Sequence, residues 1–226
     1  MPAINYQVGS LKSWAEIYAQ EIEKAGGYEQ YLHIKLLEKK PLIDRIIKYT
    51  PPIGRILEAG CGTGVISTYL SNIGFQVTAI DVDEEMLCVA RKIAKRYPHS
   101  PNFEKRSIFD LDYPIDSFDL IFSHGVLEHF CDEDILRILA NQLRISSVVI
   151  ISVPSNYFRE KDRMFGDERF LSRKRWETLL DRVPGQIVEK FSFHYLRGWA
   201  RFWDTVIRGK LFGPAPYLAF VLRKIG

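Results

Sequence analysis

Ile56-Leu57-Glu58-Ala59-Gly60-Cys61-Gly62-Thr63-Gly64-Val65-Ile66 joins a short apolar run to the next element through three alternate glycines. Arg55–Ala59 reads as a buried strand and the residues from Val65 as a helix. Glycine at such a bend lets the chain turn sharply and lets a ligand approach the main chain. The helix start just beyond supplies unpaired N–H groups. A dinucleotide loop has the order G-x-G-x-x-G, its third glycine at the helix–strand contact. Counted from Gly60 and Gly62, that glycine falls on Val65, so the fingerprint fails. Glu58 lies inside the strand end, where it repels a pyrophosphate and suits a ligand with a positive amino group.

Outward from this loop, strands and helices alternate. Phe75–Ile80 reads as a second strand closed by Asp81, which stands 21 positions after Gly60. An acid there can accept hydrogen bonds from both hydroxyls of a ribose. Asp83–Tyr97 reads as a helix with Asp83 as its N-cap. Phe103–Ser107 is a weak third strand, Phe118–Phe122 a fourth, and Asp132–Leu143 a helix that starts on acids. Val148–Val153 is apolar but for Ser152 and reads as a parallel strand covered on both faces. This alternation predicts βαβ units and a mostly parallel, doubly wound α/β sheet. Before it, 14–49 has helical spacing with a break at Gly26-Gly27. After it, Ser155–Leu171 is a polar connection, Ser172–Leu180 a helix, and Gln186–Phe193 and Tyr217–Arg223 strands. Leu196–Leu211 reads as an extra basic amphipathic helix, with Trp199, Phe202, Trp203, Val206 and Ile207 on one stripe.

Composition sets the frame. The 226 residues are 46% hydrophobic and 26% charged, enough for one large domain with appendages. Cys61, Cys88 and Cys131 have no metal-ligand spacing and read as free thiols of a reducing compartment, so a cytoplasmic location is expected. No secretory leader or membrane-length apolar run is visible. Residues 1–158 carry 16 Lys+Arg against 20 Asp+Glu, a net −4, whereas 159–226 carry 15 against 8, a net +7. A basic final third is compatible with an anionic small molecule, nucleic acid, a membrane surface, or a solvated face with no partner.

Four stretches in this order, 57–64 (LEAGCGTG), 77–87 (VTAIDVDEEML), 116–130 (DSFDLIFSHGVLEHF) and 150–158 (IISVPSNYF), resemble the class I S-adenosylmethionine-dependent methyltransferases. The resemblance covers 55–155 well and the remainder loosely. It implies a Rossmann-like sheet of seven strands with an antiparallel last strand, here Tyr217–Arg223. A domain over 51–226 is expected, with lid insertions at 155–171 and 196–213 and a helical cap at 1–50, because appendages with aromatic stripes need something to cover. The resemblance also implies S-adenosyl-L-methionine as cofactor. Gly60, Cys61 and Gly62 would line its methionine part and Glu58 would place its amino group. Asp81 would take the ribose hydroxyls, with Val82 and Met86 against the adenine. The family's adenine-facing acid falls on Ser107, a departure that leaves Ile108 and Phe109 to supply backbone and packing contacts. Ser123 and His124 end the fourth strand, where donor meets acceptor.

A sulfonium methyl is already activated, so the protein need mainly orient a nucleophile. If a base assists, His124 or His129 is the nearest candidate. Glu128 beside His129 makes too few ligands for a metal, so none is expected and Glu128 reads as locally structural. His194 reads as a packed or exposed strand residue. The leading expectation is a methyltransferase acting on a small-molecule acceptor. RNA or protein methylation by way of the basic third, a lipid acceptor at a membrane surface, and a non-catalytic cofactor-binding module stay open.

Overall fold

The computed structural model describes residues 13–158, 163, 166–193 and 216–225. Among them, seven strands form one sheet: β1 (Arg55–Ala59), β2 (Gln76–Asp81), β3 (Asn102–Lys105), β4 (Phe118–His124), β5 (Ser146–Pro154), β6 (Gly185–Phe193) and β7 (Tyr217–Lys224). Their order is β3-β2-β1-β4-β5-β7-β6. β1 to β5 run parallel, and β7 lies antiparallel between β5 and β6. The expected mostly parallel sheet with an antiparallel last strand is therefore what the chain builds. Winding reverses between β1 and β4, which opens a crevice at their carboxyl ends.

The inner strands β1, β4, β5 and β7 are largely apolar because both faces are covered, whereas the edge strands β3 and β6 are not. Leu57, Ile121, Val149, Ile151 and Phe220 point to α5 (Asp132–Ile145) and α6 (Arg173–Leu180), where Ile135, Leu139 and the fully buried Trp176 close the layer. Ile56, Leu120, Phe122, Val148 and Val221 point the other way. Leu42, Ile43 and Ile46 of α2 (Tyr28–Tyr49) and Ile66 and Leu70 of α3 (Val65–Asn72) meet them. The second half of α2 thus belongs to the main core. The first half joins α1 (Trp14–Ala25) and α4 (Glu84–Ala94) in a smaller cluster of Ile22, Tyr31, Leu32, Val65 and Ile93. α1 starts in a capping box between Ser13 and Glu16 and ends at Gly26 with φ 90°.

Boundaries shift where pairing outweighs local pattern. The polar Ser123 and His124 extend β4 by two residues because Ile151 and Ser152 of β5 continue to pair with them. The fourth helix ends at Ala94 rather than Tyr97, and Asp83 caps it by accepting the N–H groups of Glu85 at 2.8 Å and Met86 at 3.3 Å. The 196–211 helix, His194 and parts of the 155–171 connection lie outside the described residues.

Candidate active site

Gly60, Gly62 and Gly64 all adopt positive φ, at 76°, 52° and 64°. Their reasons differ. A Cβ on Gly60 would stand 2.6 Å from Val126 Cγ2, so the loop is pressed against the exit of β4. A Cβ on Gly64 would meet Phe103 Cε1 at 2.9 Å and Ala90 Cβ at 3.0 Å. Gly64 is therefore a packing glycine between β3 and α4, not a ligand glycine. At Gly62 the nearest atom is Met86 Cε at 3.9 Å, and space remains.

The loop's donors are spent inside the protein. The N–H groups of Gly60 and Cys61 both donate to Ile80 O at 2.9 Å. The Gly62 N–H donates to Asp81 Oδ2 at 2.8 Å, and Asp81 Oδ1 accepts the Asp83 N–H at 3.1 Å. No amide from Gly60 to Gly62 remains to cradle a phosphate. Two carboxylates flank the bend instead. Asp81 keeps lone pairs for further donors, and burial raises its pKa against those backbone bonds. Glu58 is 4% exposed and accepts the N–H and hydroxyl of Ser67 in the first turn of α3. Burial pushes its carboxyl above the ordinary range, opposed by Ser67 and by the charge of Lys39. Burial likewise lowers Lys39, with Glu58 resisting.

Around this seat the expected residues divide. Met86 is buried beneath Gly62, and Val82 is 58% exposed at the rim. Ser107 folds back to accept the Phe109 N–H at 3.2 Å. Ile108 turns its side chain into the core with Ile80 and Leu111. Phe109 stacks edge-on against Phe130 at 5.2 Å. Ser123 is buried and its hydroxyl has no hydrogen-bond partner among the described residues.

His124 lies on the same face of the sheet as Glu58, with Nδ1 3.0 Å from Ser152 Oγ and its ring 5.3 Å from that of Tyr217. Burial first, then Lys39 and Lys35, hold its pKa well below the usual value, so the imidazole is neutral. His129 is 2.9 Å from Asp167 through Nδ1 and meets Trp14 edge-on at 6.2 Å. It thus joins α1, the β4 exit and the 166–171 loop. Tyr18 follows Trp14 along α1, and its hydroxyl feels Asp81 and Glu128. α1 therefore lies over the carboxyl ends of β2 and β4.

Glu128 is 4% exposed, yet Oε2 has no hydrogen-bond partner among the described residues. Burial raises its pKa to about 7, with His129 pulling down and Glu168 and Asp167 pushing up. Spacing alone does not reveal this, because the sequence cannot show that Tyr18 of α1 and Tyr217 of β7 come within electrostatic reach of Glu128. Among the described residues no three His, Cys, Asp or Glu side chains are grouped closely enough to hold a metal.

The model of a methyltransferase domain family matches residues 56–147, the span from β1 to the start of β5. Residues 56–147 therefore carry a methyltransferase domain. A ubiquinone biosynthesis O-methyltransferase of Xanthomonas campestris is 34% identical over 104 residues, 45% of this chain and 43% of that one. The chain spans 29% to 55% of the first curated relatives it matches. The fold recurs in magnesium protoporphyrin IX methyltransferase from Synechocystis, solved with bound S-adenosylmethionine (TM-score 0.62, 13% identity, 96% of this chain and 100% of that one). It recurs also in the cyclase SpnF (TM-score 0.69, 17% identity, 94% of each chain). The class I fold therefore hosts more than methyl transfer, and the reaction must be argued from the site.

Proposed function

We propose that this chain transfers the methyl group of S-adenosyl-L-methionine to a small-molecule acceptor. One observation carries the reading: a glycine bend whose Gly60, Cys61 and Gly62 amides are all spent, set between two carboxylates. Such a seat rejects phosphate and accepts a nucleoside with a cationic amino-acid tail. Asp81 would hold the ribose hydroxyls and Glu58 the amino group. Met86, Val82, the Ile108 backbone and Phe109 would flank the adenine, with Gly60, Cys61 and Gly62 along the methionine part. When bound, the cofactor supplies a methyl on a positive sulfur. The chain's own work is then to hold an acceptor in line with that methyl and to exclude water.

The electrostatics give a pH test. An ionised Glu58 attracts the ligand's amino group, and a protonated one does not. Because its pKa is raised, binding strengthens as pH rises through that value and weakens as pH falls through it. Titration calorimetry across that range should show affinity for S-adenosylhomocysteine falling by up to about tenfold per pH unit on the acid side. Glu58→Gln should flatten the profile, and an unchanged slope in the variant would remove Glu58 from the seat.

α1 is proposed as a cover for the acceptor side. Trp14→Ala with Tyr18→Ala should weaken cofactor binding by about three- to tenfold, consistent with the loss of two partly buried aromatic contacts. An unaltered dissociation constant would place α1 outside the site.

Among the described residues of the basic final third, several cations pair within the domain: Arg169 and Arg175 with Asp132, Lys190 with Glu177 and Lys224 with Asp116. These charges fasten the 166–171 loop and the outer strands to the body of the domain. No described helix is long and apolar enough to cross a membrane.

A further inference from the structure

We propose that Glu128 is the proton acceptor for an aromatic hydroxyl, so that the acceptor is a phenol-like ring methylated on oxygen. This deepens the methyltransferase reading and rests on it. Glu128 sits in the turn Leu127–His129 directly after β4, at the switch-point crevice. One of its oxygens has no partner, although the side chain is buried. A buried charge without a partner is costly and is retained where a ligand completes it. The groups facing it are few. Tyr18 comes from α1 and Tyr217 from β7, and the hydroxyls of both feel its charge. His129 lies next to it, and Asp167 and Glu168 come from the loop. The N–H of Arg169 donates to its backbone carbonyl at 2.9 Å, which fixes the turn.

Tyr217, whose hydroxyl feels this carboxyl, belongs to an aromatic cluster. Tyr217 stacks with Phe193 at 5.7 Å and lies 5.3 Å from His124 and 5.6 Å from Phe158, which is itself 5.6 Å from Phe170. A planar ring is the ligand such a cluster packs best. Neutral His124 adds no cation to it. A hydroxyl on that ring is a weak nucleophile until its proton leaves, and a carboxylate with its pKa near neutral is suited to take it. In the step, Glu128 receives the hydroxyl proton while the acceptor oxygen forms its bond to the methyl carbon. The carbon–sulfur electron pair stays with sulfur, and Glu128 then releases the proton to solvent.

The test compares the full chain with Glu128→Gln in three readouts. The first needs no ligand. A raised native pKa means that the ionised carboxylate costs stability above neutral pH and nothing below the unfolded value. The Gln variant should therefore melt several degrees higher than wild type at pH 8.5 and at the same temperature at pH 4. A variant that melts lower at both would make Glu128 a structural residue and overturn the proposal. Second, calorimetry with S-adenosylhomocysteine should give dissociation constants within about twofold of each other. A loss of tenfold or more would move Glu128 into the cofactor seat. Third, with catechol, phenol and 4-hydroxybenzoate as probes, wild type should release S-adenosylhomocysteine, with kcat rising through an apparent pKa near 7. The Gln variant should lose about 100-fold or more in kcat, with KM little changed. Equal turnover in the variant, or loss of wild-type turnover on chelation of divalent cations, would overturn the assignment. A wild type that binds the cofactor but methylates none of these probes would overturn the aromatic-hydroxyl acceptor and leave the methyltransferase reading standing. A wild type that binds no cofactor would end both.

Discussion

Replacing Gly64 with valine should lower the unfolding free energy by about 3–5 kcal/mol, a large share of what a domain of this size has. Two costs combine. Gly64 has φ 64°, a conformation that a β-branched residue adopts only under strain. Its new side chain would also grow into the Phe103 ring at 2.9 Å and the Ala90 methyl at 3.0 Å. Neither neighbour can easily yield. Ala90 is fixed on α4, and Phe103 packs between that helix and the sheet. Urea unfolding followed by circular dichroism measures the change. Gly74→Val is the control, because Gly74 also has positive φ, at 104°, and nothing lies within 4 Å of its Cβ position. It should lose about 1–2 kcal/mol from strain alone. Equal losses at the two positions would show that the third glycine of the loop has no packing role.

Asp81→Ala should weaken S-adenosylhomocysteine binding by about 100- to 1,000-fold. Charge-assisted hydrogen bonds to two ribose hydroxyls are each worth about 1.5–3 kcal/mol, of which part is recovered by water in the variant. The side chain also ties the Gly62 N–H to the start of the next loop through the Asp83 N–H. Its loss frees the bend that lines the methionine part. Asp81→Asn keeps one acceptor oxygen and forfeits the charge, so its loss should be smaller, about tenfold. Calorimetry on folded variants decides the matter, and an Asp81→Ala protein with wild-type affinity would remove the ribose assignment.

Much of the fold is legible in the sequence because period and punctuation agree. The run 148–153, apolar but for Ser152, suits a doubly covered sheet, and β5 lies there with β4 and β7 on its two sides. Asp83 reads as a cap and is one. The glycine loop is legible in kind, since Val65 in place of a glycine excludes a dinucleotide loop. Its division of labour is not legible. Spacing shows three like glycines, whereas Gly60 is held by Val126 and Gly64 by Phe103, contacts made by residues distant in sequence. His124 draws attention as a titratable group at a strand end. Burial and two lysines of α2 keep it neutral, and nothing local to β4 foretells lysines arriving from residues 35 and 39. Glu128 reads from the sequence as locally structural, and its burial with one unpartnered oxygen is visible only in the folded chain.

The central claim is that the bend at 60–64 seats a nucleoside with a cationic tail and not a dinucleotide. Parallel calorimetric titrations of the full chain with S-adenosylmethionine and with NAD test this most directly. The account predicts one-to-one binding of S-adenosylmethionine with a dissociation constant of about 1–100 μM, and no saturable heat from NAD at about 1 mM. Saturable NAD binding of comparable strength, or no binding of S-adenosylmethionine by the folded chain, would contradict it.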